Sequence, residues 1–276
     1  MCDTPSPFEA MVRIRRVQQH RAIGEDLVPD ELLKLCPQAT HRLLYPLMLK
    51  AVLTVRPPLQ WRGGQIMELY KGKGSASDPA SYRDVCLAGV CAKVFGKCWR
   101  TRLATRLAGM TNAMQFGSGM HGGDTSTAHL ALRSMMDIAE VQGETLDIVF
   151  VDVASAFPSL MRSPALDTVG GDEALLQRLK ALGFDDTDIA AIRLDITSTP
   201  WMAGQVTARQ AQMLGTLHSF TWATVDGTEG IIGTHRGAAA GLPLSDVIFI
   251  AALGRVVAKI EKRLEEEHLI TDACFG

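Results

Sequence analysis

The run at 146–157, LDIVFVDVASAF, constrains this chain more than any other stretch. Its β-branched half, Ile148, Val149, Phe150 and Val151, has the composition of a strand covered on both faces. Asp152 then stands at the carboxyl end of that strand, followed by small residues and Phe157. A carboxylate in such a place is costly unless donors or a cation face it. For Asp152 taken alone, an N-cap and a metal ligand are level readings.

The chain has 276 residues, 47% hydrophobic and 21% charged, which is enough for a real core and unlike a disordered segment. The N-terminus is polar and then basic, without an apolar leader region. The longest apolar stretch, 247–253, is too short to span a bilayer. An intracellular protein of nucleus or cytoplasm is expected, with its cysteines reduced. Cysteines 2, 36, 86, 91, 98 and 274 show no CxxC spacing and no flanking histidine pair, so no zinc site is expected. Charge is unevenly spread. Residues 1–110 hold 17 Lys and Arg against 9 Asp and Glu, whereas residues 111–276 hold 11 against 21. Such halves suit a protein holding a polyanion on one side and cations on the other. On charge alone the simpler reading is that they neutralise each other.

Periodicity and punctuation give an α+β layout with one sheet drawn from distant segments. Residues 1–50 read as a helical extension, with a helix opening at Pro29-Asp30 and another over 41–55, stopped by Pro57-Pro58. Residues 61–70 and 82–87 read as strands around the flexible basic turn Lys71-Gly72-Lys73-Gly74. A long helix over 90–110 carries Lys93, Lys97, Arg100, Arg102 and Arg106 on its polar side. Asp124 caps a helix that Gly143 closes. The strand before Asp152 follows, then a mostly helical stretch to 196. Asp185-Asp186 reads as a helix cap. A strand at 220–225 turns at Asp226-Gly227 as a two-residue hairpin, and 244–269 is a helix.

Several familiar chemistries find no support. The seven histidines form no HxxxH or HExxH pair, and Ser155 is not in a nucleophile elbow. The glycine-rich run at 117–123 lacks the Gly-Lys-Ser/Thr ending of a phosphate loop.

Read in order, the segments W-R-G-G-Q-I, K-G-K-G and Y-R-D-V-C-L within 61–87, Lys93, the Gln115-Phe116-Gly117 turn, F-V-D-V-A-S-A-F at 150–157, R-G-A-A-A-G-L-P-L-S at 236–245 and Phe249 form a consistent set. In this order and spacing, residues 51–276 resemble the reverse transcriptase domain of non-LTR retrotransposons, and more broadly the group II intron branch of that family. The resemblance implies right-hand polymerase fingers and an incomplete palm over 51–276, after the helical extension at 1–50. It implies RNA-directed DNA synthesis on an RNA template and DNA primer, by two-metal transfer from a deoxynucleoside triphosphate. Asp152 matches the family's first metal-binding aspartate, with the Val153 carbonyl as a further ligand for Mg2+ or Mn2+. Arg83 matches the arginine that grips the triphosphate, with Lys71 or Lys73 reaching the same phosphates. Phe157 matches the aromatic that crowds the sugar 2′ position. Gly241, Leu242 and Pro243 match the loop under the templating base, and Gln115 matches a turn near the template. Ala240 and Asp246 depart from the family, which carries glutamine and proline there. The family's aromatic-x-Asp-Asp hairpin does not follow Gly241 in this sequence. Little or no polymerase activity is therefore expected of these residues alone, as a piece of a longer polyprotein or a relic. The alternative is a non-catalytic nucleic-acid-binding or scaffold remnant.

Overall fold

A computed structural model describes residues 3–110, 124–148, 150, 153, 156–160, 162, 177, 179–181, 183–197, 202, 204–235, 237–238, 241–242 and 244–267. Helix α1 (Pro7–Arg15) starts at a reciprocal cap. Ser6 Oγ accepts from the Glu9 amide, and Glu9 Oε2 accepts from the Ser6 amide. After the short α2 (Asp30–Leu35), α3 (Pro37–Thr54) begins four residues before its expected start and runs through Pro46. It ends where Val55 turns left-handed at φ 53° and the Arg56 amide reaches back to the Ala51 carbonyl, 3.0 Å away.

Strand β1 (Gly63–Tyr70) pairs antiparallel with β2 (Tyr82–Leu87), from Gln65 opposite Leu87 to Tyr70 opposite Tyr82. β3 (Thr221–Val225) lies parallel to β1 on its other side, with Gly63 opposite Trp222. β4 (Ile232–Thr234) pairs antiparallel with β3, giving the order β2-β1-β3-β4. The sheet therefore joins two hairpins more than a hundred residues apart, as the layout predicts.

Helix α4 (Val90–Leu107) is the centre of the core. Phe95, Cys98, Trp99, Leu103 and Leu107 are all buried along it. Trp61 packs on Phe95 at 4.7 Å between ring centroids, and Phe95 on Trp99 at 6.2 Å. Ala10 and Ile14 of α1, and Leu44, Met48 and Val52 of α3, belong to the same buried cluster. So do Met213 and Leu214 of α8 (Ala208–Leu217), and Val247, Ile248 and Ala251 of α9 (Ser245–Glu266). Between α4 and α8 lie α5 (Thr125–Gln142), capped by Asp124 and closed by Gly143, then α6 (Ala156–Ser159) and α7 (Asp186–Thr197). At the last of these, Asp185 Oδ1 accepts from the Asp188 amide at 2.7 Å, which is the cap expected of that acid pair.

Two expectations are corrected, and one helix goes beyond them. The run before Asp152 has no strand among its described residues, and Phe150 is 84% exposed. Extended backbone holds only by pairing its amides and carbonyls, and the described residues of this run pair with no strand of the sheet. The β3–β4 connection is longer than a two-residue turn, because Ala223 pairs with Ile232. The Thr228 amide bonds to the Val225 carbonyl and Gly227 takes φ 74°, so the chain turns early and leaves a wider loop. Helix α8 is absent from the layout above. Its signal is the box Thr207–Gln210, with each side chain bonded to the other's amide.

Because α1 and α4 share one core, the Ile14→Ala variant is expected to cost about 2–4 kcal/mol and to leave a single unfolding transition. Urea unfolding followed by far-UV circular dichroism and tryptophan fluorescence measures both; a separate early transition would contradict the shared core.

Candidate functional site

The β1–β2 hairpin has two electrostatically different faces, because neighbouring residues of a strand point to opposite sides. On one face Arg83 stands opposite Leu69. Lys71, two residues beyond Leu69, continues that row, since its amide bonds to the Ser81 carbonyl at 2.8 Å. On the other face Glu68 stands opposite Asp84, a like-charged pair. Only the Arg83 face suits a phosphate. The turn at its tip is built rather than slack. Tyr70 Oη donates to the Gly74 carbonyl at 2.7 Å, Tyr82 Oη to the Ala76 carbonyl at 2.8 Å, and Lys71 Nζ to the Ala80 carbonyl at 2.7 Å. Arg83 and Lys73 are exposed and form no ion pair among the described residues.

Gly241 rests on the same hairpin. At φ 105° it lies so close to β2 that a Cβ there would come within 2.4 Å of the Cys86 carbonyl oxygen. Arg83 is three residues further along that strand, about 10 Å away at strand rise. Below the same loop sits the 156–160 turn. The Ala238 amide donates to the Phe157 carbonyl and the Gly237 amide to the Leu160 carbonyl, both at 2.8 Å. The Phe157 ring meets Phe249 of α9 at 5.1 Å. Leu242 packs on the core. Val153 is described and exposed. Asp152, Gln115 and Pro243 lie outside the described residues. The structure thus brings Arg83's strand, Phe157, Gly241 and Leu242 together, with Lys71 and Lys73 at the far tip of the hairpin. Among the described residues no group of three or more His, Cys, Asp or Glu side chains converges, so they do not form a cation site by themselves.

Sequence reasoning did not single out Arg162, which holds this loop in place, or His218 beside it. Arg162, 7% exposed, threads its guanidinium through the backbone. Its Nε donates to the Gly237 carbonyl at 2.6 Å, and Nη1 to the His218 carbonyl and Thr221 Oγ1 at 2.8 Å and the Thr234 carbonyl at 3.1 Å. Burial pushes it down to about 10, so it stays a cation at neutral pH. Beside it, His218 is buried and its Nδ1 donates to the Leu214 carbonyl at 2.9 Å. Burial is the main cause that pushes His218 down to about 4, with the nearby Arg162 charge acting the same way. No local pattern marks either residue. Asp246, where the resemblance implies proline, has a structural role. Arg100 of α4 donates to its Oδ2 through Nε at 2.9 Å and Nη2 at 2.5 Å, tying the start of α9 to α4. An acid in the first turn of a helix also suits the helix dipole.

Together these observations define an α+β protein with a small four-stranded sheet, whose β1–β2 hairpin has one basic face and carries a glycine loop seated on the backbone of β2. No family model matches the chain. Over 155 residues it is 26% identical to a protein of Drosophila melanogaster described as a probable RNA-directed DNA polymerase from transposon X-element. That stretch is 55% of this chain and 17% of the relative, so the chain spans a small part of that protein's length. The distant likeness supports a reverse-transcriptase-like relationship. No described helix is long and apolar enough to cross a membrane.

Two outcomes follow from this geometry. Gly241→Ala combines a left-handed φ with a backbone collision, and is expected to cost about 1–3 kcal/mol or more by chemical denaturation. Gly109→Ala, where a Cβ meets nothing within 4 Å, is expected to be near neutral in the same assay. For His218, the unfolded chain takes up a proton near pH 6.5 and the folded one only near 4. Stability is therefore full above the unfolded value and falls as pH drops below it, by about 2 kcal/mol between pH 7 and 5. Urea midpoints across that range should flatten by this amount in His218→Asn.

Proposed function

We propose that this chain is a reverse-transcriptase-like domain, the fingers and part of the palm of an RNA-directed DNA polymerase. It holds an RNA template and DNA primer against the β1–β2 hairpin and the Gly241 loop. The observation that carries the reading is the convergence at β2. Residues 83, 157 and 241–242, far apart in the chain, belong to segments packed on one another, in the order and with the chemistry that the resemblance implies. The likeness to a transposon polymerase points the same way. In this reading Arg83, with Lys71 or Lys73, takes the triphosphate. Phe157, braced by Phe249, crowds the sugar. Gly241 and Leu242, with Pro243, support the templating base, and Gln115 lies near the template.

Asp152 and the Val153 carbonyl are proposed to bind Mg2+ or Mn2+, which when bound supplies charge stabilisation at the transferred phosphoryl group. This part of the proposal rests on the sequence. The chain's own residues, on this reading, position the triphosphate and exclude a ribose hydroxyl. The rest of a longer polyprotein is the proposed partner. A second reading, a nucleic-acid-binding remnant without turnover, is favoured by Asp246, which here serves as a tie between helices.

Binding of a fluorescent RNA–DNA primer–template is expected to weaken steeply with salt. Arg83→Ala and Lys73→Ala should each reduce the slope of log K against log salt by about 1. Anisotropy titrations at several salt concentrations measure this. A flat salt dependence in the unmodified chain would remove any nucleic-acid role. Intact binding without Mg2+-dependent primer extension would favour the remnant.

A further inference from the structure

On another part of the molecule a cavity of about 450 Å3 opens where the starts of β1 and α4 meet β3 and the loop before α2. Its floor is buried: Trp61 and Gly63 lie beneath it. Trp222 lies along Gly63, so closely that a Cβ on that glycine would come within 2.7 Å of the indole ring. Trp222 Nε1 donates to the Leu59 carbonyl at 2.8 Å, which fixes the ring. Trp61 is 8% exposed and packs on Phe95, yet its indole N–H donates to no described group. The rim is acidic, with Glu25 and Asp26 both exposed to the opening.

These carboxylates have only weak company. Glu25 Oε2 accepts from Thr224 Oγ1 at 3.2 Å, and Asp26 Oδ1 from the Val28 amide at 3.3 Å. Asp26 Oδ2 also lies over Gly89, at the start of α4, where the helix dipole favours an anion. Neither acid has a cationic partner among the described residues. Two carboxylates without a cationic partner among the described residues, on a cavity that two tryptophans also line, make a region of negative potential with aromatic side chains in its wall. An anion is repelled there, and an apolar ligand would strip water from the acids without pairing them. A guanidinium can lie flat on an indole while its N–H groups meet the carboxylates. Leu47 and Pro58 give the methylenes behind it an apolar wall.

We infer that this cavity receives a basic side chain, above all arginine, presented by a partner peptide. The inference is independent of the polymerase reading. Its test uses the whole chain labelled with 5-fluorotryptophan. The fluorine resonances of Trp61 and Trp222 are assigned from Trp61→Phe and Trp222→Phe. N-acetyl-arginine amide is titrated against N-acetyl-citrulline amide, which has nearly the same shape without the charge, at matched ionic strength. The two cavity resonances are expected to shift saturably, with arginine preferred by about tenfold or more. Glu25→Gln with Asp26→Asn is expected to abolish that preference. Glu25→Gln alone, on the exposed rim, is expected to reduce it should the double variant fail to fold. Equal binding of citrulline, or drifts shared by all four tryptophans, would overturn the proposal. An Ala-Arg-Ala peptide capped at both ends should bind more tightly than the single residue. Equal affinity would instead assign the site to a free small cation and overturn the peptide source.

Discussion

The close approach of Gly241 to the Cys86 carbonyl is the contact on which the arrangement around the candidate site depends. Two backbones meet there at a distance that excludes any side chain, in a conformation that other residues avoid. That contact sets the height at which the chain enters α9. Leu244, Val247, Ile248 and Ala251 then turn into the core, and Phe249 reaches Phe157. Gly237 repeats the device on the other side of the loop, where a Cβ would meet the Pro158 backbone at 2.8 Å. The loop is thus held between the 156–160 turn and β2, and the spacing of the three segments is fixed by absent side chains.

Helix α4 decides which cations remain available. The basic excess of the first 110 residues includes five cations on this helix, but much of their charge is used internally. Lys93 faces Asp30 at 3.5 Å, Arg100 holds Asp246, and Arg102 pairs with Glu9. Burial alone would raise the Glu9 carboxyl; the Ser6 amide and the Arg102 guanidinium hold it below its ordinary range. Those pairs join the N-terminal helices and α9 to α4. A cation bound to a buried or half-buried carboxylate is a poor phosphate ligand, because freeing it leaves its partner uncompensated. The exposed cations of the β1–β2 hairpin carry no such cost and stay available to solvent.

Legibility in the sequence followed the range of the forces involved. Strand β2 and helices α4, α5 and α9 announce themselves by alternation, helical period and end residues, which act within a few positions. The Asp124 cap and the Gly143 stop are of the same kind. The run before Asp152 shows the limit of composition. Ile148 and Phe150 are good strand formers, but a strand also needs a neighbour, and nothing local supplies one. Gly241 and Arg83 stand out in the sequence because an ordered set of short segments carries them, and the structure adds that Gly241 lies on the backbone of Arg83's strand. Arg162 and His218 do not stand out, since their partners are carbonyls 56 to 75 positions away or the backbone of a helix end. The acidic rim formed by Glu25 and Asp26 is likewise invisible until the fold brings Trp222 beside it.

Arg162 explains why a charged residue sits where an apolar one would pack. The carbonyls of Gly237 and His218 belong to a loop and a helix end, where the regular ladders leave acceptors over. Sealed from water, each would cost about 1–3 kcal/mol unpaired. One guanidinium, with its fork of fixed donors, satisfies both and reaches Thr221 and Thr234 of the β-hairpin as well. The consequence is a positive charge in the interior, next to a histidine that burial keeps neutral and that this charge disfavours further as a cation. A methionine or leucine at 162 could fill the volume but would leave the acceptors bare. The glycine loop, the end of α8 and the β3–β4 hairpin are therefore joined through one side chain.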